Sequence, residues 1–191
     1  MKAVIVHGWG GSPKSDWYNW LRKELENRDW DVEVPEMPET MVPKIDKWVE
    51  QLKKAAGKVD ENTYFIGHSI GCQTILRYLE NLKGKVGGCI FVAGWFNLTE
   101  NTWDENYTHE IADPWLNTEI DLDKVKKKCR KIVAVFSNND PYVPLTDKEI
   151  YKEKLGAEII ILEGKGHVSG EDGVKQLPIV LDKLLEMAKV K

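Results

Sequence analysis

The sequence predicts an α/β fold: a parallel sheet of about six strands with helices on both faces. Three observations carry this. Short apolar runs alternate with amphipathic stripes from one end of the chain to the other. The runs are continuously apolar, as in strands covered on both faces. Each pair of runs is separated by enough chain for a helical crossover, which parallel neighbours require. At 191 residues the chain suits one domain, residues 1–191.

The elements follow in order. Ala3-Val4-Ile5-Val6 is a short apolar run ending at His7-Gly8 and reads as the first strand. Trp17, Trp20, Leu21 and Leu25 recur at helical spacing. Asp31-Val32-Glu33-Val34 reads as a second strand, stopped by Pro35 and Pro38. Ile45, Trp48, Val49, Leu52 and Ala56 form the next helical stripe. Thr63-Tyr64-Phe65-Ile66 is the third strand and runs into Gly67-His68-Ser69-Ile70-Gly71, after which Cys72, Ile75, Leu76, Leu79 and Leu82 share a helix face. Gly88 to Gly94 is the fourth strand. From Trp95 to about Asn117 the periodicity breaks, which predicts a loop-rich excursion acting as a small lid. A short helix over Leu122 to Cys129 precedes the fifth strand, Ile132 to Phe136. Thr146 and Glu149 have capping-box spacing at the next helix start. Ile159 to Leu162 is the sixth strand, and Leu177, Val180, Leu181, Leu184 and Leu185 mark the last helix.

Composition narrows the function. Twenty-seven basic against 31 acidic residues, a formal charge of −4, disfavour nucleic acid as a partner. No apolar run approaches the ~18 residues of a membrane span, so no membrane association is expected. The apolar start is too short for a signal peptide and reads as mature chain. Cys72, Cys89 and Cys129 lack C-x-x-C spacing, which argues for neither a disulfide framework nor a zinc site and predicts a reducing, cytoplasmic setting. Eight tryptophans are many for this length. Trp17, Trp20 and Trp48 fall on helix stripes and read as core, whereas Trp30 has no assignment.

In parallel sheets chemistry gathers at the carboxyl ends of the strands. There the informative segment is Gly67-His68-Ser69-Ile70-Gly71, a G-x-S-x-G turn. The pentapeptide is short, and its context makes it informative: a buried strand before it and an amphipathic helix after it are what a nucleophile elbow requires. Ser69 is therefore the candidate nucleophile. His167, between glycines after the sixth strand, is the candidate base, and Asp140, after the fifth, the acid that orients it; this keeps the order Ser, Asp, His. Asp172 and Asp113 are weaker candidates for the acid, since neither follows a strand. The amides of Ile70 and of Trp9, with Gly10 as second choice to Trp9, are expected to form the oxyanion hole. The glycine-rich His7-to-Gly11 loop matches neither G-x-G-x-x-G nor a P-loop. His7 is expected to shape that loop, His68 to pack near the elbow, and His109 to be exposed. Cys72 reads as packing. The run Lys126-Lys127-Lys128-Cys129-Arg130-Lys131 reads as a solvated helix end. Trp95, Phe96, Trp103 and Trp115 in the excursion, with Tyr142 beside Asp140, are expected to line an apolar acyl or leaving-group pocket.

The His-Gly-Trp-Gly loop, the Gly-His-Ser-Ile-Gly elbow, the Asn-Asp-Pro-Tyr-Val-Pro segment and the Gly-Lys-Gly-His loop resemble an α/β-hydrolase across nearly the whole chain. More narrowly they resemble the small serine hydrolases grouped with retinoblastoma-binding protein nine. The resemblance implies a three-layer sandwich with strand order 2-1-3-4-5-6, lacking the first two strands of larger hydrolases. It also implies Ser69 as nucleophile, Asp140 as acid and His167 as base. Members of that group are esterase-like or aminopeptidase-like. The Leu-x-Cys-x-Glu retinoblastoma-binding motif is absent, so that partnership is not implied. The expected function is hydrolysis of an ester, thioester or amide of a small hydrophobic acyl compound by a monomer or small homo-oligomer. No cofactor and no metal are called for. An aspartate-nucleophile dehalogenase is disfavoured by the serine at the elbow. The competing reading is a catalytically weak hydrolase-fold protein that binds a protein or ligand.

Overall fold

The computed structural model describes residues 1–103 and 108–189. Six parallel strands form one sheet: β1 (Lys2–Val6), β2 (Asp31–Glu33), β3 (Thr63–His68), β4 (Gly88–Val92), β5 (Ile132–Ser137) and β6 (Glu158–Leu162). Their order is β2-β1-β3-β4-β5-β6, as the family resemblance implied. The helices are α1 (Tyr18–Glu26), α2 (Ile45–Ala56), α3 (Ile70–Glu80), α4 (Thr108–Asn117), α5 (Leu122–Lys128), α6 (Asp147–Glu153) and α7 (Pro178–Lys189). Among the described residues no helix is long and apolar enough to cross a membrane.

The two-residue period of a strand divides the core between the faces. Val4, Val6, Phe65, Ala134 and Phe136 point to the face covered by α2, α3, α5 and α6. Ala3, Ile5, Ile66, Val133 and Val135 point to the face covered by α1 and α7. Trp17 and Trp48 are fully buried, one on each face, and Trp20 is partly buried against the α1 face. Trp30 packs on the α1 face against Tyr64, with ring centroids 5.3 Å apart.

Two expectations are corrected. The 95–117 segment is not only loop. A 3-10 turn occupies Glu100–Thr102, and α4 is a regular helix that contains Pro114. A proline inside a helix removes a donor and crowds the preceding turn, so the sequence pattern reads as broken there. Buried Ala112 and Trp115 nonetheless hold α4 to the body. The capping box is absent as well. Thr146 has helical φ and ψ (−62°, −23°), and its side chain caps nothing. The entry to α6 is closed instead by i→i+3 bonds from Asp147 N to Pro144 O (3.0 Å) and from Glu149 N to Thr146 O (3.0 Å).

Candidate active site

The elbow is a steric construction. Ser69 has φ +53° and ψ −124°, a conformation L-residues rarely adopt. It is held between the end of β3 and the start of α3 by Ser69 N donating to Val92 O at 2.9 Å. The flanking glycines follow from close approach. A Cβ on Gly71 would lie 2.4 Å from Val6 O, and one on Gly67 would lie 2.8 Å from the Cys72 backbone. Any larger residue at Gly71 would push α3 off β1, and with it the serine.

The loops after β5 and β6 are joined as one piece. His167 Nδ1 lies 2.9 Å from Asp140 Oδ2 and 3.1 Å from Oδ1. Asp140 Oδ1 also accepts from the amides of Tyr142 (2.9 Å) and Val143 (3.1 Å). These donors fix the carboxylate, which in turn requires a proton on His167 Nδ1 and leaves Nε2 for chemistry. The glycine loop before His167 is clamped from β5. Gly164 N donates to Asn138 Oδ1 (2.9 Å), Lys165 N to Ser137 Oγ (3.0 Å) and Gly166 N to Asn139 Oδ1 (2.9 Å).

His68 does more than pack. It is buried, with Nδ1 2.6 Å from the Tyr18 hydroxyl and Nε2 2.8 Å from the His167 carbonyl. A carbonyl only accepts, so Nε2 carries the proton and Nδ1 accepts from Tyr18. The Tyr18 oxygen in turn accepts from Gly8 N at 3.3 Å. One chain of hydrogen bonds therefore runs from the loop after β1, beneath the elbow, to the backbone of His167. Burial first, and the neighbouring His167 second, lower the His68 pKa to about 4, so this ring is neutral at physiological pH. Its Nδ1 lies 3.8 Å from Asp16 Oδ2. In sequence, the only sign of this role is the histidine's place beside the serine; Tyr18 gives none.

His7 does shape the first loop. Its Nε2 accepts from Met37 N (3.3 Å), which puts the proton on Nδ1 for Gly8 O (2.9 Å). Burial lowers its pKa too. Gly10 N donates to Thr40 O at 2.9 Å, which occupies the second-choice oxyanion donor. Trp9 itself is tethered through Nε1 to Met41 O at 3.0 Å.

These pieces meet in a cavity of about 390 Å³ whose walls include Ser69, His68, His167, Trp9, Trp95 and Tyr142. Among the described residues the Ser69 hydroxyl has no hydrogen-bond partner. The expected pocket aromatics separate. Trp95 lines the cavity, its carbonyl held by Gln73 Nε2 at 2.8 Å. Tyr142 stands edge-on to the His167 ring, 5.2 Å between centroids. Trp115 is core and not pocket wall: it is 1% exposed, donates to Pro43 O at 3.0 Å and meets Trp48 edge-on. Phe96 packs on Tyr151 (5.1 Å) and Trp103 stacks on exposed His109 (3.8 Å); neither borders the cavity. Clustering in sequence does not make that distinction. Asp172 accepts from Ser169 Oγ (2.7 Å), and Asp113 is exposed on α4, so neither takes the place of Asp140.

Buried Asp147 was not foreseen. Its Oδ2 accepts from the amides of Phe96 (2.5 Å) and Asn97 (2.8 Å), and its Oδ1 accepts from Asn97 Nδ2 (2.7 Å). It pins the segment that follows Trp95.

Comparison with known proteins agrees with this architecture. The serine hydrolase family pattern matches residues 3–186. The YdeN protein of Bacillus subtilis is 28% identical over 185 residues, 96% of this chain and 94% of that protein. The serine hydrolase RBBP9 of Rattus norvegicus is 28% identical over 186 residues, 96% of this chain and 95% of that one. The crystal structure of the ydeN gene product superposes with a TM-score of 0.89 at 27% identity, covering 98% of each chain. Est1E from Butyrivibrio proteoclasticus shares the fold, with a TM-score of 0.69 at 15% identity over 97% of this chain and 87% of that one.

Proposed function

Because the chain belongs to the serine hydrolase family, we propose that it cleaves an ester, thioester or amide of a small hydrophobic acyl compound through Ser69, His167 and Asp140. The observation that carries this reading is the His167–Asp140 pair at 2.9 Å facing the same cavity as a positive-φ serine. His167 Nε2 takes the Ser69 proton as Oγ attacks the carbonyl. Asp140 stabilises the imidazolium that results. The Ile70 amide, at the start of α3, and the Trp9 amide hold the oxyanion. His167 then protonates the leaving group, and water, activated by the same ring, releases the acid from Ser69. Trp95, Tyr142 and Leu98 give the cavity an apolar portion for an acyl chain, while Asp16, Glu171 and Asp172 also line it.

The test is labelling by a fluorophosphonate probe in the wild type and in Ser69→Ala. The wild type is expected to label and the variant not. An unlabelled wild type would count for the binding-module alternative, and labelling that survives in Ser69→Ala would move the nucleophile elsewhere. A panel of esters, thioesters and aminoacyl amides then ranks the leaving groups.

A further inference from the structure

Cys89 and Cys129 are 40 positions apart, yet their sulfurs lie 3.3 Å from each other. The contact is set by the backbone. Cys89 N donates to Lys131 O at 3.0 Å, and Val86 and Cys129 form a bridge that lays the exit of α5 alongside the entry of β4. The two thiols differ in access. Cys89 is fully buried, and burial together with the neighbouring thiol holds its pKa well above the ordinary value. Cys129 is partly exposed and lies in an open groove of about 290 Å³ with Lys126, Arg130, Lys131 and Leu155 in its walls. Cys72, the third cysteine, is fully buried and donates to Val92 O.

We propose that Cys89 and Cys129 are a peroxide-sensitive dithiol that closes into a disulfide at the end of the sheet remote from the cavity. The Cys129 thiol meets hydrogen peroxide in the groove. Its sulfur takes one oxygen as the O–O bond breaks, giving a sulfenic acid and one water. The Cys89 sulfur then attacks the Cys129 sulfur. Its proton leaves with the displaced hydroxyl as a second water, and the S–S bond forms. In sum, two thiols and one peroxide give one disulfide and two waters: the sulfurs are oxidised and the peroxide reduced. A shift of about 1.3 Å brings the sulfurs from contact to the ~2.0 Å of a bond. Cys129 ends α5 in an extended conformation (φ −108°, ψ 134°), outside the regular helix, and can supply that shift. The thiol in contact gives the sulfenic acid a partner to condense with, and the disulfide that results is reducible, so the site is reversible. The new bond spans 40 residues between β4 and the entry to β5, so its expected effect is on stability.

The full chain is treated with a small excess of hydrogen peroxide at low protein concentration, quenched, unfolded and alkylated with iodoacetamide, then weighed intact and mapped by peptides. The expected result is a chain carrying one carbamidomethyl group, on Cys72, where the untreated chain carries three, and lacking two hydrogens besides, with one Cys89–Cys129 cross-linked peptide that dithiothreitol reverses. The Tm of the oxidised form rises by roughly 5 °C. Cys129→Ser, at the partly exposed position, keeps the fold and leaves both remaining thiols open to alkylation after peroxide. Three alkylated cysteines in the treated wild type would overturn the proposal. So would oxygen retained on Cys129 with Cys89 still alkylated, a cross-link to Cys72, or thiol loss that persists in Cys129→Ser.

Discussion

His68 Nε2 donates to the backbone carbonyl of His167 at 2.8 Å, so the residue before the proposed nucleophile holds the loop that bears the proposed base. The other ring nitrogen is held by Tyr18, whose oxygen also takes the Gly8 amide beside the proposed oxyanion donor. Two loops that, on the proposed mechanism, meet at one tetrahedral centre are thus tied to a single buried ring. Tyr18→Phe cuts the chain and keeps the packing. It is expected to lower kcat by about 10- to 100-fold with little change in KM, because misplacement by a fraction of an ångström acts on the transition state. Fluorophosphonate labelling of the variant should slow in parallel, and a wild-type kcat would show that the chain is structural only.

The same ring predicts acid sensitivity. His68 has a pKa of about 4 in the folded chain against 6.5 when unfolded. Between those values the unfolded chain binds the extra proton and the folded chain does not, so stability falls as pH drops through that window. The full loss is on the order of 3 kcal/mol. His7, also lowered by burial, adds in the same direction. Tm measured from pH 7 to 4.5 should fall, and His68→Gln should fall less steeply. Equal slopes would remove His68 as a source.

The tryptophans divide into two tests. Trp95→Ala opens the cavity wall and is expected to shift the kcat/KM profile across short and long acyl esters. Trp115→Ala is expected to cost ~3–5 kcal/mol of stability and leave the profile unchanged, since it sits in the core under Arg77. Denaturant unfolding and an ester series measure both. Matching profiles for Trp95→Ala and the wild type would remove Trp95 from substrate contact.

Tyr151 offers a stabilising change. Its ring is packed among Phe91, Phe96 and Phe136, and among the described residues its buried hydroxyl has no partner. Tyr151→Phe removes an unpaired polar atom and keeps the ring, for an expected gain of ~1 kcal/mol by denaturant midpoint. A loss of stability would mean that the hydroxyl is satisfied after all.

The sheet was legible because burial on both faces writes itself as runs such as Val4-Ile5-Val6 and Val133-Ala134-Val135, and because each run ends at a turn residue. Strand order followed from the resemblance, and the six-strand arrangement matches it. Ser69, Asp140 and His167 could be picked out because each follows a strand. What stayed hidden were contacts between distant segments. Tyr18 to His68 spans 50 positions and Phe96 to Asp147 spans 51, and neither pair leaves a spacing or a motif. The α4 helix was hidden for a local reason, Pro114, which propensity counts against a helix and packing overrides. Trp115 was misplaced because neighbours in sequence along a helix face different ways.

The clamps from Ser137, Asn138 and Asn139 onto the amides of 164–166 bear on how such a site could be rebuilt. Asp140 and His167 travel as one cassette whose latch lies outside both residues. A loop transplanted from a relative would have to bring its own matching latch. Without one, the graft would present the same two side chains on hinges, free to swing away from Ser69.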